Sequence, residues 1–183
     1  SPDIEPPAVR LVIEKRGTLD ALALRPAQRR VPGEGEVEIQ VHAAALNFRD
    51  VMNALGTYPG DAGQLGDECA GVVVRVGAGI THLAVGDEVM ALLPGSLASY
   101  VTGNVNLVAR RPVTLSLEQA AGVPIVFATA AVALERIAGW IEHYPIAGLE
   151  EPFAEHAALA RFARAAAGRV RIIGNESLAS DAE

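Results

Sequence analysis

Of the 183 residues half are hydrophobic and a fifth charged, with only 4% aromatic, the mix of a soluble globular chain whose core is filled by aliphatic residues and alanine. The net charge of -7 excludes nucleic-acid binding, which needs a basic face to displace counterions from phosphates. A single cysteine, Cys69, excludes an intrachain disulfide and a cysteine-rich zinc site, and its apolar neighbours make it a small core residue.

At this length one domain with a real core is expected. No apolar run reaches bilayer-spanning length, and the start, SPDIEPPAVR, lacks a basic, apolar signal region. A cytoplasmic location without membrane contact is expected. Lys15 is the only lysine, in a segment that reads as a surface strand, so lysine chemistry is not expected.

The first hundred residues alternate at period two between turn signals, the pattern of half-buried strands. VRLVIEK puts Val9, Leu11 and Ile13 on one side. GEVEIQVHA puts Val37, Ile39 and Val41 opposite Glu36, Glu38 and Gln40, so one face is expected in a core and the other in water. ECAGVVVRVG runs apolar as far as Arg75, as a strand covered on both faces does. Further strands follow in GDEVMALL and in LASYVTGNVNLVARRP, with Pro94, Gly95 and Gly103 as punctuation. Short strands at this spacing predict an irregular barrel or sandwich rather than a parallel sheet.

Near Leu115 the period changes. Ser116 and Gln119 form a capping-box signature that starts a short helix. After Gly122, Val123 and Pro124, the positions Val126, Ala130, Ala133, Leu134, Ile137, Trp140 and Ile141 follow helical spacing. This helix is expected to end between Ile141 and Tyr144, ahead of Pro145. A third helix is expected from Pro152, with Leu159, Phe162, Ala163 and Ala166 as its stripe and Gly168 as its cap. RVRII reads as a closing strand, and both termini read as linker or tail.

LNFRDVMNALGTYPG at 46–60, followed by GDECAGVVVRVGAGITHLAVGDEVMALL at 66–93, resembles the enoylreductase domain of modular polyketide synthases, in the medium-chain dehydrogenase/reductase superfamily. The resemblance runs from about Val9 to Leu134. It implies an α+β, mainly β fold: a GroES-like irregular β-barrel lobe with two or three helices. In complete members a Rossmann domain for NADPH interrupts that lobe. AAGVPIVFATAAVAL resembles the family's crossing into the nucleotide domain, with small residues at Ala131 and Val132 where the family has bulky aromatics. The strand, Gly-rich turn and helix start that would hold a pyrophosphate do not follow. The glycines from Ile137 onward, Gly139, Gly148, Gly168 and Gly174, lack the G-x-G-x-x-G spacing.

LEEPFAEHAALARFARAAAGRVRII resembles, more weakly, the family's last helix and strand. The organisation expected is therefore a linker at 1–8, the lobe at 9–134, a junction in place of the nucleotide domain at 135–148, a closing helix and strand at 149–174, and a tail at 175–183. No cofactor is expected for this chain, and without a bound hydride carrier it is not expected to reduce anything by itself.

The resemblance also implies site residues. Where zinc-dependent relatives have ligands, this chain has Asn47, Phe48, Arg49 and Asp50, then Gly66, Asp67 and Glu68, so no metal is expected. Tyr58 matches a tyrosine associated with protonation near the substrate α-carbon; it reads equally as a turn tyrosine packed against Pro59. Asn47 and Arg49 match cleft positions, and Asp50 is either a catalytic partner of Tyr58 or half of a buried ion pair with Arg49 that fixes the loop. Thr129 matches the threonine near the nicotinamide, or is a helix residue bonded to its own turn. His42 is the reserve acid or base.

Three functions remain open on the sequence. One is a substrate lobe for acyl carrier protein-bound polyketide thioesters, inactive as a reductase alone. A second is a structural or docking element beside neighbouring polyketide synthase domains. A third is a cofactor-independent acid/base catalyst of double-bond migration or cyclisation.

Overall fold

The computed structural model describes residues 7–143, 148–150 and 171–173. The chain divides into two compact units, Ser1–Val126 and Phe127–Glu183.

The first unit begins with an antiparallel hairpin of β1 (Val9–Ile13) and β2 (Leu22–Pro26), with Leu11 opposite Leu24. Lys15 lies exposed in the turn after β1 rather than in a strand. The main sheet has five strands in the order β6-β3-β4-β5-β7. They are β3 (Glu36–Ala44), β4 (Cys69–Val76), β5 (Glu88–Ala91), β6 (Tyr100–Asn104) and β7 (Val108–Arg110), and every pairing among them is antiparallel. Period-two alternation sends Val37, Ile39, Val73, Val89, Ala91 and Val101 into one core, where Cys69 joins them. Burying side chains such as Ile39 and Val73 stabilises the fold by about 1.5–3 kcal/mol each. The mainly β, antiparallel reading of this half is what the structure has.

The sheet bends at register shifts between Glu38 and Ile39 and between Val41 and Ala43, since an extra residue on one strand increases local twist. Gly71 sits against the second shift, where a Cβ would lie 2.0 Å from the Gln40 carbonyl oxygen.

Alternation alone misplaces Glu38, which is fully buried rather than in water. Its carboxylate accepts from Arg29 Nε and Nη2 at 2.9 and 2.8 Å and from Arg75, which stands opposite it on β4. Arg29 in turn stacks over the Tyr100 ring at 3.9 Å. Two arginines thus turn a solvent-face position into an ion cluster. Burial pushes the Glu38 carboxyl up, but the bonds and charges of Arg29 and Arg75 outweigh it and hold the group below its usual range.

An unforeseen helix, α1 (Phe48–Leu55), lies between β3 and β4. The capping-box helix is present as α2 (Leu117–Ala121), with the reciprocal Ser116 and Gln119 bonds at 3.2 and 2.9 Å. Its Ala120 and Ala121 pack on Ala70 of β4, small residues that let helix and sheet approach closely.

The long apolar helix is α3 (Pro124–His143), which ends where proline geometry predicts. Its apolar spacing does not produce a buried stripe: Val126 is 62% and Trp140 53% exposed. In the second unit, β8 (Gly148–Glu150) and β9 (Arg171–Ile173) pair in parallel as a sheet of their own. The closing strand is thus joined by an unexpected partner strand, β8. The helix expected from Pro152 lies outside the described residues. Among the described residues no helix is long and apolar enough to cross a membrane.

Candidate functional site

The motif residues gather on α1 and the loop behind it. Asn47 has extended geometry, with φ at -109° and ψ at 154°, and opens the helix as its N-cap. Three residues on, Asp50 reaches back and its Oδ2 accepts the Asn47 N–H at 3.0 Å, while its Oδ1 accepts the Gly66 N–H at 2.8 Å. Asp50 is 5% exposed, so both oxygens hold backbone in a dry setting. At the other end Gly56 closes the helix in the left-handed region, φ 69°. The backbone N–H groups of Thr57 and Tyr58 then donate to Met52 O at 2.9 and 3.2 Å. Tyr58 is half-buried in a bend strapped to the helix end.

Arg49 does not pair with Asp50. Its Nη2 donates to the Ala62 carbonyl at 2.7 Å and lies 3.1 Å from Asp67 Oδ1. One helical turn later, Asn53 Nδ2 donates to the Gly63 carbonyl at 3.1 Å. The loop at 61–68 is therefore stitched to α1 by Arg49, Asp50 and Asn53. Burial pushes the Asp67 carboxyl above its ordinary value; the Arg49 charge opposes this, and Asp50 and Glu68 add to it.

Glu68, 2% exposed, completes the cluster. Asn47 Nδ2 donates to its Oε1 at 3.2 Å and the Ile125 N–H to its Oε2 at 2.8 Å. By the family resemblance Asp67 and Glu68 are only positions without zinc ligands; the signal that finds Glu68 is the missing acceptor before Pro124 at the start of α3.

His42 is not part of this cluster. It lies exposed on β3 and lines an open groove of about 360 Å³ with Val9, Leu11, Leu24, Val41 and Ser99. Asn47, Arg49, Asp50 and Tyr58 do not line that groove. Thr129 is exposed on α3, within the second unit. The structure thus gathers Asn47, Arg49 and Asp50 with Asp67 and Glu68 through the bonds above, keeps Tyr58 in the bend after α1 bonded to Met52 O, and leaves His42 elsewhere.

Chemically the cluster is a set of carboxylates already satisfied by amides and one guanidinium. Among the described residues no group of His, Cys, Asp or Glu is arranged to hold a metal ion. A dinucleotide needs free helix N–H groups at its phosphates, but the starts of α1 and α3 already face the carboxylates of Asp50 and Glu68.

Residues 33–141 match the family described as alcohol dehydrogenase GroES-like domain. Polyketide synthase GfsB of Streptomyces halstedii is 49% identical over 133 residues, 72% of this chain and 2% of that synthase. The crystal structure of CurK enoyl reductase is similar with a TM-score of 0.74 at 31% identity, covering 96% of this chain and 56% of that one. Quinone oxidoreductase of Escherichia coli, solved with NADPH, is similar with a TM-score of 0.60 at 26% identity over 91% of this chain and 52% of that one. The chain therefore spans a small fraction of the synthase and about half of each solved structure.

Proposed function

Since the chain belongs to the alcohol dehydrogenase GroES-like domain family and is homologous to the enoyl reductase region of polyketide synthases, we propose that it is the substrate lobe of such a region, without a nucleotide-binding half of its own. The observation that carries this reading is the junction: α3 ends at His143 and β8 begins at Gly148, while nearly the whole chain matches only 56% of CurK enoyl reductase. Its ligand class is an α,β-unsaturated acyl thioester carried by an acyl carrier protein, and its partners are neighbouring synthase domains. Alone it takes no hydride from NADPH, because the hydride belongs to a bound cofactor. Incubating the chain with S-crotonyl-N-acetylcysteamine and NADPH tests this. No NADPH consumption is expected, and turnover would refute it.

A second reading, a structural or docking element of the megasynthase, is favoured by Asp50. Both of its oxygens hold backbone N–H groups, which makes it a fixing residue rather than a partner for Tyr58 in proton transfer. The same bonds weigh against cofactor-independent acid/base catalysis. Unchanged thioester after incubation without nucleotide is the outcome expected of both favoured readings.

A further inference from the structure

We infer that Glu68 caps α3 and braces Asn47, the N-cap residue of α1, and is thereby a positioning residue for the Asn47 side chain. α3 starts at Pro124, which has no N–H to satisfy, so the Ile125 N–H is the first in that helix to need an acceptor. The preceding residue is Val123, whose side chain supplies none. Glu68 supplies it from 57 residues away, at 2.8 Å.

The other oxygen of Glu68 accepts from the side chain of Asn47, the N-cap of α1, at 3.2 Å. A carboxylate buried this deeply needs partners, and the loop's arginine, Arg49, is engaged by Asp67 and Ala62 instead. Glu68 is held by amides at two helix starts, where the helix dipoles favour negative charge. One side chain therefore ties the Asn47 side chain to the Ile125 amide at the start of α3.

The test uses Glu68→Ala and Glu68→Gln in the full chain, with hydrogen exchange and NMR of the Ile125 amide and the Asn47 side-chain amide. Glu68→Ala is expected to speed Ile125 exchange by roughly 5- to 30-fold and to move the Asn47 resonance, with the core amides of Val73 and Val89 unchanged. Glu68→Gln, which keeps an acceptor oxygen, restores the Ile125 protection. Unchanged Ile125 exchange in Glu68→Ala, or equal acceleration at Val73 and Val89, overturns the assignment. If Glu68→Ala does not fold, Glu68→Gln decides: a moved Asn47 resonance supports the Asn47 brace and an unmoved one overturns it.

The role in substrate binding rests on the substrate-lobe reading and has its own readout, the affinity for S-crotonyl-N-acetylcysteamine. Weaker binding by Glu68→Ala with rescue by Glu68→Gln supports positioning. A variant that frees Ile125 yet binds as wild type overturns it. If wild type itself does not bind the thioester, the substrate reading fails, and the capping role is still decided by Ile125.

Discussion

Asp50 and Gly66, 16 residues apart, are joined by a buried hydrogen bond of 2.8 Å from the Gly66 N–H to Asp50 Oδ1. The other oxygen caps α1 through the Asn47 N–H. Asp50→Ala removes a cap and strands a buried donor, and is expected to lower unfolding stability by about 2–4 kcal/mol. Denaturant titration measures it; a midpoint equal to wild type would show that Asp50 does not fix the loop.

Gly66 itself admits no side chain. Its φ is 83° and a Cβ would lie 2.4 Å from the Leu97 backbone nitrogen, so Gly66→Ala meets both strain and overlap. The expected loss is about 2–4 kcal/mol, read from the same titration. A neutral Gly66→Ala would contradict the close approach of these loops.

The Glu38 cluster makes stability depend on acid. Its folded pKa lies below the unfolded value, which for glutamate is about 4.3, so between the two the unfolded chain binds more protons. Stability from this group is present above the unfolded pKa and lost as pH falls through the folded one. Glu38→Gln is expected to be less stable than wild type at pH 7, with the gap closing as pH falls below about 4. A gap independent of pH would mean that the carboxylate charge is not what Arg29 and Arg75 recognise.

Much of this architecture could be read in advance wherever its causes are local. The Ser116 and Gln119 box lies within one turn, and the alternating strands state their own faces. α1 carries an apolar stripe at helical spacing, Phe48, Val51, Met52 and Leu55, in an eight-residue helix. That stripe faces outward, with Phe48 77% exposed, while Asp50, Asn53 and Ala54 are the buried residues, so the pattern points away from the face that packs. Glu38 was misplaced because its partners lie 9 and 37 residues away, and a periodic pattern carries no information about them. Asp50, expected either to partner Tyr58 or to pair with Arg49, instead holds the backbone N–H groups of Asn47 and Gly66. Tyr58 keeps its place in the turn, and nothing local ties it to a catalytic neighbour.

Cys69 behaves as core. Burial pushes its thiol up to about 11, against a weaker opposing bond from Ser96, and it is fully buried. Labelling by an aromatic disulfide at pH 8 is expected to proceed only as fast as the sheet opens. Rapid labelling of the native chain would contradict that packing.

Tyr58→Phe is expected to leave stability within about 0.5 kcal/mol of wild type and the products of a parent synthase unaltered. A changed product, read by mass spectrometry, would return Tyr58 to proton transfer.

A substrate lobe without a nucleotide-binding half binds no NADPH by itself. Isothermal titration calorimetry of the full chain with NADPH measures it directly. No binding heat is expected; a micromolar dissociation constant would overturn the substrate-lobe reading.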